Sequence, residues 1–207
     1  MKTIDLTTWA RRKQYAFFRG FARPHFSLCA EVDCTRLLEE LKPAGVAPFN
    51  AVLWCLLAAA NDVPELRQRL RGDQVIEHAQ VHPSVTVPTA EDGFAFCHLS
   101  FDPDWASFDR DCRAAFAAAA ARAELVDAEG DHWLYLSCLP WVSFSSMSNP
   151  VRGPDDCVPR ITWGRFAQRE GRWKLPVAAQ VHHALVDGRH LGRFYAGVER
   201  RLAELTA

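Results

Sequence analysis

The sequence predicts an α/β fold, more closely an α+β two-layer sandwich in which helices pack on one face of a mixed β-sheet. Apolar residues occupy alternate positions over residues 26–32, as in a strand with one buried face. An Ala-rich amphipathic helix is expected over residues 104–125, and no regular βαβ repeat is visible. With 207 residues and 49% hydrophobic content, the chain can bury one core, so we predict a single domain over residues 1–207.

The remaining elements follow from the same local patterns. Asp33 is a plausible N-cap for a short helix over residues 34–41, and a longer helical region over 49–70 is interrupted at Pro64. The other predictions are short strands at 75–76, 84–87 and 94–100, longer strands at 134–141, 160–168 and 175–181, and a C-terminal helix. The Ser/Pro/Gly-rich residues 145–159 are predicted to form a long loop, and such loops are often binding elements.

Composition argues against several classes of function. Lys and Arg number 24 against 25 Asp and Glu, so nothing in the charge favours a nucleic acid or an anionic membrane surface as partner. The longest apolar run is shorter than the roughly 20 residues of a membrane span, and no export segment is visible. Seven scattered cysteines without metal-like spacing indicate buried thiols in a reducing cytoplasm. We therefore expect a cytoplasmic protein without a metal site.

The segment from Gln180 to His190, QVHHALVDGRH, carries the most chemical information. It places two histidines at the end of an apolar strand, with Asp187 and a glycine shortly after them. A neutral imidazole in such a site can accept a proton at physiological pH. Adjacent strand residues point to opposite faces, so only one of His182 and His183 can face a given cleft, which disfavours a metal site. An exposed histidine pair followed by a helix N-cap at Asp187 is the structural alternative.

The same segment resembles the active-site signature of the chloramphenicol acetyltransferases. Four further stretches match in the same order along the chain: WARR from Trp9 with Phe17, Phe18 and Arg19; Phe26 to Leu28; SCLPWVSF from Ser137; and Ile161 to Trp163. The resemblance covers both ends and the middle of the chain. It implies the fold of that family and an acyltransferase that uses acetyl-CoA as co-substrate to acetylate, and so inactivate, the antibiotic.

The resemblance also implies residue roles. His183 would be the general base that takes the proton of the acceptor hydroxyl during direct transfer, and Ser137 would stabilise the oxyanion. Asp187 would pair with Arg11 and brace the loop that carries the base, and Thr162 would hold a water near the reacting centre. The positions that match the acceptor pocket of the family are Phe17, Phe18, Phe26 and Trp141. Active members of the family would be homotrimers with each active site between two subunits.

Two departures from the family pattern concern the acceptor. Arg189 stands where relatives usually carry an aromatic residue, and residues 145–159 are more polar than the matching stretch. Chloramphenicol is the favoured acceptor, and another small hydroxylated molecule is the alternative. Other acyltransferases with an HxxxDG pattern, and a non-catalytic family member that binds a hydrophobic ligand, are further alternatives. The joint presence of His183, Asp187, Ser137 and Arg11 favours an enzyme.

Overall fold

A computed structural model describes residues 1–90, 93–122, 125–126 and 129–207. Within these ranges the α-helices are α1 (Arg12–Phe18), α2 (Pro48–Asn61), α3 (Trp105–Arg122) and α4 (Gly188–Glu204), with a π-helical turn at Leu37–Leu41 and a 3-10 turn at Pro64–Arg67. The strands are β1 (Lys2–Thr3), β2 (His25–Asp33), β3 (Gln68–Arg71), β4 (Gln74–Glu77), β5 (His82–Pro88), β6 (Phe94–His98), β7 (Trp133–Cys138), β8 (Arg160–Trp163), β9 (Ala167–Arg169) and β10 (Arg172–His182).

The main sheet has seven strands in the order β2-β10-β8-β7-β5-β6, with β9 pairing alongside β10. The β5–β7 and β7–β8 pairs are parallel and the other pairs are antiparallel. A separate three-stranded sheet has the order β1-β4-β3. The predicted mixed sheet with packed helices is therefore confirmed.

The core lies between the main sheet and the long helices. α2 packs against α4, α4 contacts β2, and α3 contacts β5 and β6. The α4 residues Leu191, Phe194 and Val198 are fully buried, as expected for the apolar face of an amphipathic helix. The Tyr195 hydroxyl donates to the carbonyls of Leu28 in β2 (2.8 Å) and Val177 in β10 (2.9 Å). These bonds fix α4, and with it the turn before it, to the central strands.

Several predicted element bounds need correction. Residues 68–70 form β3 rather than the end of a helix, and residues 160–168 form two strands instead of one. The strand predicted over 134–141 ends at Cys138, and the helix α1 was not predicted. Residues 123–124, at the end of the predicted helix 104–125, lie outside the described residues. Residues 145–159 contain neither helix nor strand, which confirms the predicted loop.

No helix in the described ranges has the length and apolar character to cross a membrane. All seven cysteines are free thiols, and five of them are fully buried, in agreement with the expected buried thiols.

Candidate active site

The two neighbouring histidines have different environments, as the strand alternation predicts. His182 ends β10 and is 2% exposed; its Nε2 donates to the carbonyl of Pro154 (2.8 Å) and its Nδ1 accepts from the Ala184 N–H (3.2 Å). Burial lowers the pKa of His182 to about 4. His183 is only partly buried, and its main-chain N–H donates to the carbonyl of Pro24 (2.8 Å). His182 is therefore a neutral structural residue, and His183 is the histidine that can reach a ligand.

One hydrogen bond determines the tautomer of His183. Its Nδ1 lies 3.0 Å from the carbonyl oxygen of Val186. A carbonyl oxygen only accepts hydrogen bonds, so Nδ1 carries the proton. In the neutral ring, Nε2 then keeps its lone pair and is the nitrogen that can accept a proton. The turn after β10 thus presents an imidazole with a defined orientation, which makes His183 a candidate base.

Aromatic side chains hold the His183 ring on two sides. The Phe18 ring stacks on it at a centroid distance of 3.9 Å and an interplanar angle of 17°, and the Phe26 ring lies 4.6 Å away. Phe17 is 63% exposed and contacts the ring of Phe18 edge-on at 5.0 Å. Phe21, which the sequence analysis did not identify, is 43% exposed and contacts both phenylalanines. Helix α1 and β2 therefore build an apolar, partly open surface around the base.

Arg11 and Asp187 form the expected ion pair below this base. An Arg11 Nη atom binds Asp187 Oδ2, and the other donates to the main-chain carbonyl of His183 (3.2 Å). The second oxygen of Asp187 caps α4 by accepting from the Arg189 N–H (3.0 Å). Burial by itself would raise the pKa of Asp187, but the Arg11 hydrogen bond and nearby positive charges outweigh it, so the pKa is lowered. Arg11 is buried, so this pair connects the N-terminal segment to the turn that carries the base.

We expect Asp187→Asn to lower the free energy of unfolding by about 1–3 kcal/mol. Asparagine keeps the oxygen that caps α4, so the substitution isolates the lost charge and leaves the buried Arg11 guanidinium without its partner. Urea unfolding at pH 7 and fixed protein concentration measures the change.

Asp62→Asn is the matched control, because Asp62 pairs with Arg200 and Arg201 at an exposed position and exposed pairs contribute little. Equal stability of Asp187→Asn and the unmodified protein would contradict an energetic role for the Arg11 pair.

The stability that Asp187 contributes also depends on pH, because its pKa is lowered in the folded state. This contribution to the free energy of unfolding is complete above the unfolded pKa of about 3.9 and is lost as the pH falls through the folded value.

A second group of polar side chains lies in the middle of the sheet. Ser137 in β7 is opposite Thr162 in β8, and its Oγ lies 3.1 Å from the Thr86 hydroxyl of β5. Thr162 is 1% exposed, with its hydroxyl 3.4 Å from Asn149 Nδ2. The three parallel strands therefore place three hydroxyl side chains, Thr86, Ser137 and Thr162, next to one another.

The loop over residues 145–159 is attached to this group through a buried glutamine. Gln180 in β10 binds both main-chain groups of Asn149: its Oε1 accepts from the N–H (2.5 Å) and its Nε2 donates to the carbonyl (3.0 Å). The Ser27 hydroxyl also donates to Gln180 Oε1 (3.4 Å). Gln180 thereby fixes the position at which Asn149 enters the site.

A cavity of about 440 Å³ opens beside Ser137 and Thr162. Its lining combines aromatic and aliphatic walls with hydroxyl, amide and guanidinium groups from the strands and the loop: Ser84, Thr86, Phe94, Phe96, Tyr135, Leu136, Ser137, Asn149, Pro150, Val151, Arg152, Arg160 and Thr162. A cavity of this volume, with apolar walls and several converging polar groups, is typical of a small-molecule site. Trp141 is 75% exposed and is not among its lining residues.

Within one chain, His183 lies far from the three hydroxyl side chains of Thr86, Ser137 and Thr162. Ser137 is opposite Thr162, and Thr162 is opposite Ala178 of β10. The five residue-to-residue steps from Ala178 to His183 extend about 17 Å, and two strand spacings add about 10 Å in the perpendicular direction. The Cα atoms of Ser137 and His183 are therefore separated by roughly 20 Å. One chain cannot place both side chains on the same reacting bond.

The structure thus divides the predicted residues into two groups. The first, here called the base group, contains His183, Phe17, Phe18, Phe26, Arg11 and Asp187. The second, the cavity group, contains Ser137 and Thr162 together with the unpredicted Thr86, Asn149 and Gln180. Of the unpredicted residues, Gln180 was visible in the sequence as a polar residue within an apolar strand.

No group of three or more His, Cys, Asp or Glu side chains in the described part of the chain could hold a metal ion. Among the histidines outside the two groups, His82, His98 and His132 contact the ring of Trp133.

Known proteins match this chain over nearly its whole length. A family model described as chloramphenicol acetyltransferase matches residues 1–199. The chloramphenicol acetyltransferase 2 of Escherichia coli is 33% identical over 195 residues, which are 92% of each chain. A chloramphenicol acetyltransferase of Streptomyces acrimycini is 33% identical over 97% of this chain and 94% of its own. A solved chloramphenicol acetyltransferase structure superposes with a TM-score of 0.85, with 28% identity and coverage of 97% of this chain and 99% of that chain.

Proposed function

The chain belongs to the chloramphenicol acetyltransferase family, which confirms the prediction of an acyltransferase, and we propose that it transfers the acetyl group of acetyl-CoA to a hydroxyl of chloramphenicol with His183 as the general base. The product would be the acetyl ester of the antibiotic, so the biological role would be antibiotic resistance.

The observation that carries this proposal is the fixed tautomer of His183. Its Nδ1 donates to Val186, which leaves the Nε2 lone pair facing away from the protein turn. Phe18 and Phe26 hold the ring in place, and Arg11 binds the main-chain carbonyl of the same residue. General-base catalysis requires the base to be correctly oriented when it takes the proton. A base that is already held in that orientation needs no reorganisation first.

The transfer step balances with His183 as the only proton carrier. Nε2 takes the proton of the acceptor hydroxyl while the oxygen forms a bond to the thioester carbonyl carbon. The carbon–sulfur bond then breaks, and the imidazolium returns the proton to the sulfur of CoA. The products are an acetyl ester and free CoA, and His183 is neutral again.

Direct transfer, without an acyl-enzyme, agrees with the state of the cysteines and serines. Burial raises the pKa of all seven thiols, to about 12 for Cys138 beside Ser137, so none is ready to act as a thiolate nucleophile. The Ser137 hydroxyl has another hydroxyl as its neighbour, that of Thr86. We assign Ser137 to stabilising the oxyanion, worth roughly 3 kcal/mol, and Thr162 to holding a water beside it.

We further propose that the active protein is a homotrimer in which the base group of one subunit meets the cavity group of the next. The separation of roughly 20 Å within one chain supports this arrangement, because both groups are needed at one bond. Exposed aromatic residues lie near both groups: Phe17 and Phe21 contact Phe18 of the base group, and Phe94 lines the cavity. Apolar surface of this kind is typical of protein interfaces.

We also infer a cytoplasmic location, because all seven cysteines are free thiols, as expected in a reducing compartment.

The cavity lining supports a second acceptor as the alternative. Asn149, Arg152 and Arg160 bring polar groups to a pocket whose other walls are largely apolar, and Arg189 is exposed next to Asp187. Chemistry and acceptor choice depend on different residues here. A small hydroxylated molecule with more hydrogen-bonding groups than chloramphenicol would use the same base.

The test is to incubate the purified protein with acetyl-CoA and chloramphenicol and to follow the release of free thiol. We expect release that depends on both substrates, with mass spectrometry showing the acetyl ester. Thiol release with other alcohols but not with chloramphenicol would contradict chloramphenicol as the acceptor, while the proposed transfer chemistry would remain supported. Absence of release with every hydroxylated acceptor in a broad panel would favour the non-catalytic alternative.

A further inference from the structure

His190 occupies the third position of α4, directly behind the turn that carries the base. Its Nδ1 accepts from the main-chain N–H of Asp187 at 3.0 Å, and its Nε2 lies 3.4 Å from Glu65 Oε1. Together with the Asp187 side chain, this contact forms a capping box. Such boxes normally have Glu or Gln at this position. His190 is therefore a titratable group in a role that usually belongs to a side chain of fixed hydrogen-bonding capacity.

The two contacts define the protonation of His190. A main-chain N–H only donates, so Nδ1 must be unprotonated, and the proton of the neutral ring is on Nε2. This proton faces the carboxylate of Glu65, which also binds Arg193 (3.0 Å). Glu65 lies in the 3-10 turn at Pro64–Arg67, outside α4. The imidazole thus lies between the Asp187 N–H and a carboxylate from a different element.

A chain of contacts connects His190 to the general base. His190 holds the main chain of Asp187, the Asp187 carboxylate binds Arg11, and Arg11 donates to the carbonyl of His183. Val186, whose carbonyl orients the His183 ring, directly precedes Asp187. Displacing the Asp187 main chain would therefore move the acceptor that fixes the tautomer of the base.

We propose that neutral His190, bonded to the Asp187 N–H and lying beside Glu65, is a positioning residue for His183, and that protonation of His190 releases the Val186–Asp187 turn and switches off the base. This inference rests on the proposed function. A protonated Nδ1 would face the Asp187 N–H, so two donors would oppose each other. The protonated Nδ1 would instead be attracted to Asp187 Oδ1, which lies 3.4 Å away. That oxygen caps α4 by accepting from the Arg189 N–H.

The charges around His190 come from three elements. Glu65 and Asp187 favour its protonated form, and Arg11 and Arg193 oppose it. Burial is the largest effect and, with the arginines, lowers the pKa of His190 below its ordinary value. The free energy of unfolding is therefore expected to fall as the pH drops below the unfolded value of about 6.5, because the unfolded state binds the proton first. The native turn itself changes only when the pH falls through the lowered value.

Two substitutions separate positioning from simple packing. His190→Gln keeps an acceptor for the Asp187 N–H but cannot be protonated, whereas His190→Leu removes the acceptor. At pH 7.5 we expect His190→Gln to retain kcat within about threefold and His190→Leu to lose about tenfold in kcat with little change in KM. Equal kcat in the two variants would overturn the proposal.

The pH profile gives a readout that a packing role would not change. On the acid side of the profile, log kcat of the unmodified protein should fall more steeply with decreasing pH than log kcat of His190→Gln, by up to one further unit per pH unit. Circular dichroism restricts the comparison to pH values at which both proteins are folded. An equal slope in the two proteins would contradict the switch.

Nitrogen-15 NMR of the imidazoles tests the same idea without turnover. At neutral pH, the shifts should show His190 protonated at Nε2 and His183 protonated at Nδ1. On acidification, the His183 signals should respond to the His190 titration in the unmodified protein and lose that step in His190→Gln. An identical His183 titration in both proteins would overturn the coupling. Absence of turnover with every acceptor would instead contradict the proposed function and leave this measurement valid.

Discussion

Replacing His183 with glutamine is expected to lower kcat/KM by about two to four orders of magnitude. The glutamine amide can still donate to the Val186 carbonyl and lie between Phe18 and Phe26, so the turn should keep its shape. The amide of glutamine, however, is not basic enough to take the proton of an alcohol. The measurement is free-thiol release at saturating acetyl-CoA, with the melting temperature recorded to show that folding is unchanged.

His132→Gln is the matched control for this substitution. His132 is partly buried beside Trp133 at the start of β7 and belongs to neither the base group nor the cavity group. It should retain the activity of the unmodified protein. Full activity of the His183 variant would show that a different residue is the base.

The fold could be predicted well where the signal is local. The alternation over residues 26–32 identified β2, and the apolar run before QVHHALVDG identified β10. The helix predicted over residues 68–70 is wrong because these residues pair with β4 in a hairpin, and distant main-chain groups hold the buried side chain of Arg69. Arg69 is fully buried there, and its guanidinium donates to the carbonyls of Asp131 (2.6 Å) and Trp133 (2.7 Å). Apolar periodicity contains no information about such partners.

In the candidate site, too, local relations could be predicted from the sequence and long-range ones could not. His183 and Asp187 are four residues apart, so their relation could be read directly from the sequence. Thr86 and Ser137 are 51 positions apart and Asn149 and Gln180 are 31 apart; they meet only because of the strand order. No local pattern encodes that order, which explains why the cavity group was incomplete. The separation of the two groups within one chain likewise follows from strand register, which no local sequence pattern encodes.

That separation leads to the second large effect, which is recovery of activity from two inactive variants. His183→Gln lacks the proposed base, and Ser137→Ala lacks the proposed oxyanion donor. If each active site combines His183 of one subunit with Ser137 of the next, a trimer that contains both variants has one site in which both residues are intact. Closed threefold symmetry then predicts about one third of the activity of the unmodified trimer. If both residues acted within one chain, no site would be intact.

The two variants can be co-expressed with different affinity tags and purified through both, so that only mixed assemblies remain. Native mass spectrometry confirms three chains per assembly. Mixed trimers of His183→Gln and His183→Ala are the control, because every site in them lacks the base and no activity should return. Recovery in the first mixture and not in the second would mean that the active site is built between subunits. Verified mixed trimers with no recovery would contradict that arrangement. The distance of roughly 20 Å would then require a large rearrangement within the chain before His183 and Ser137 could act together.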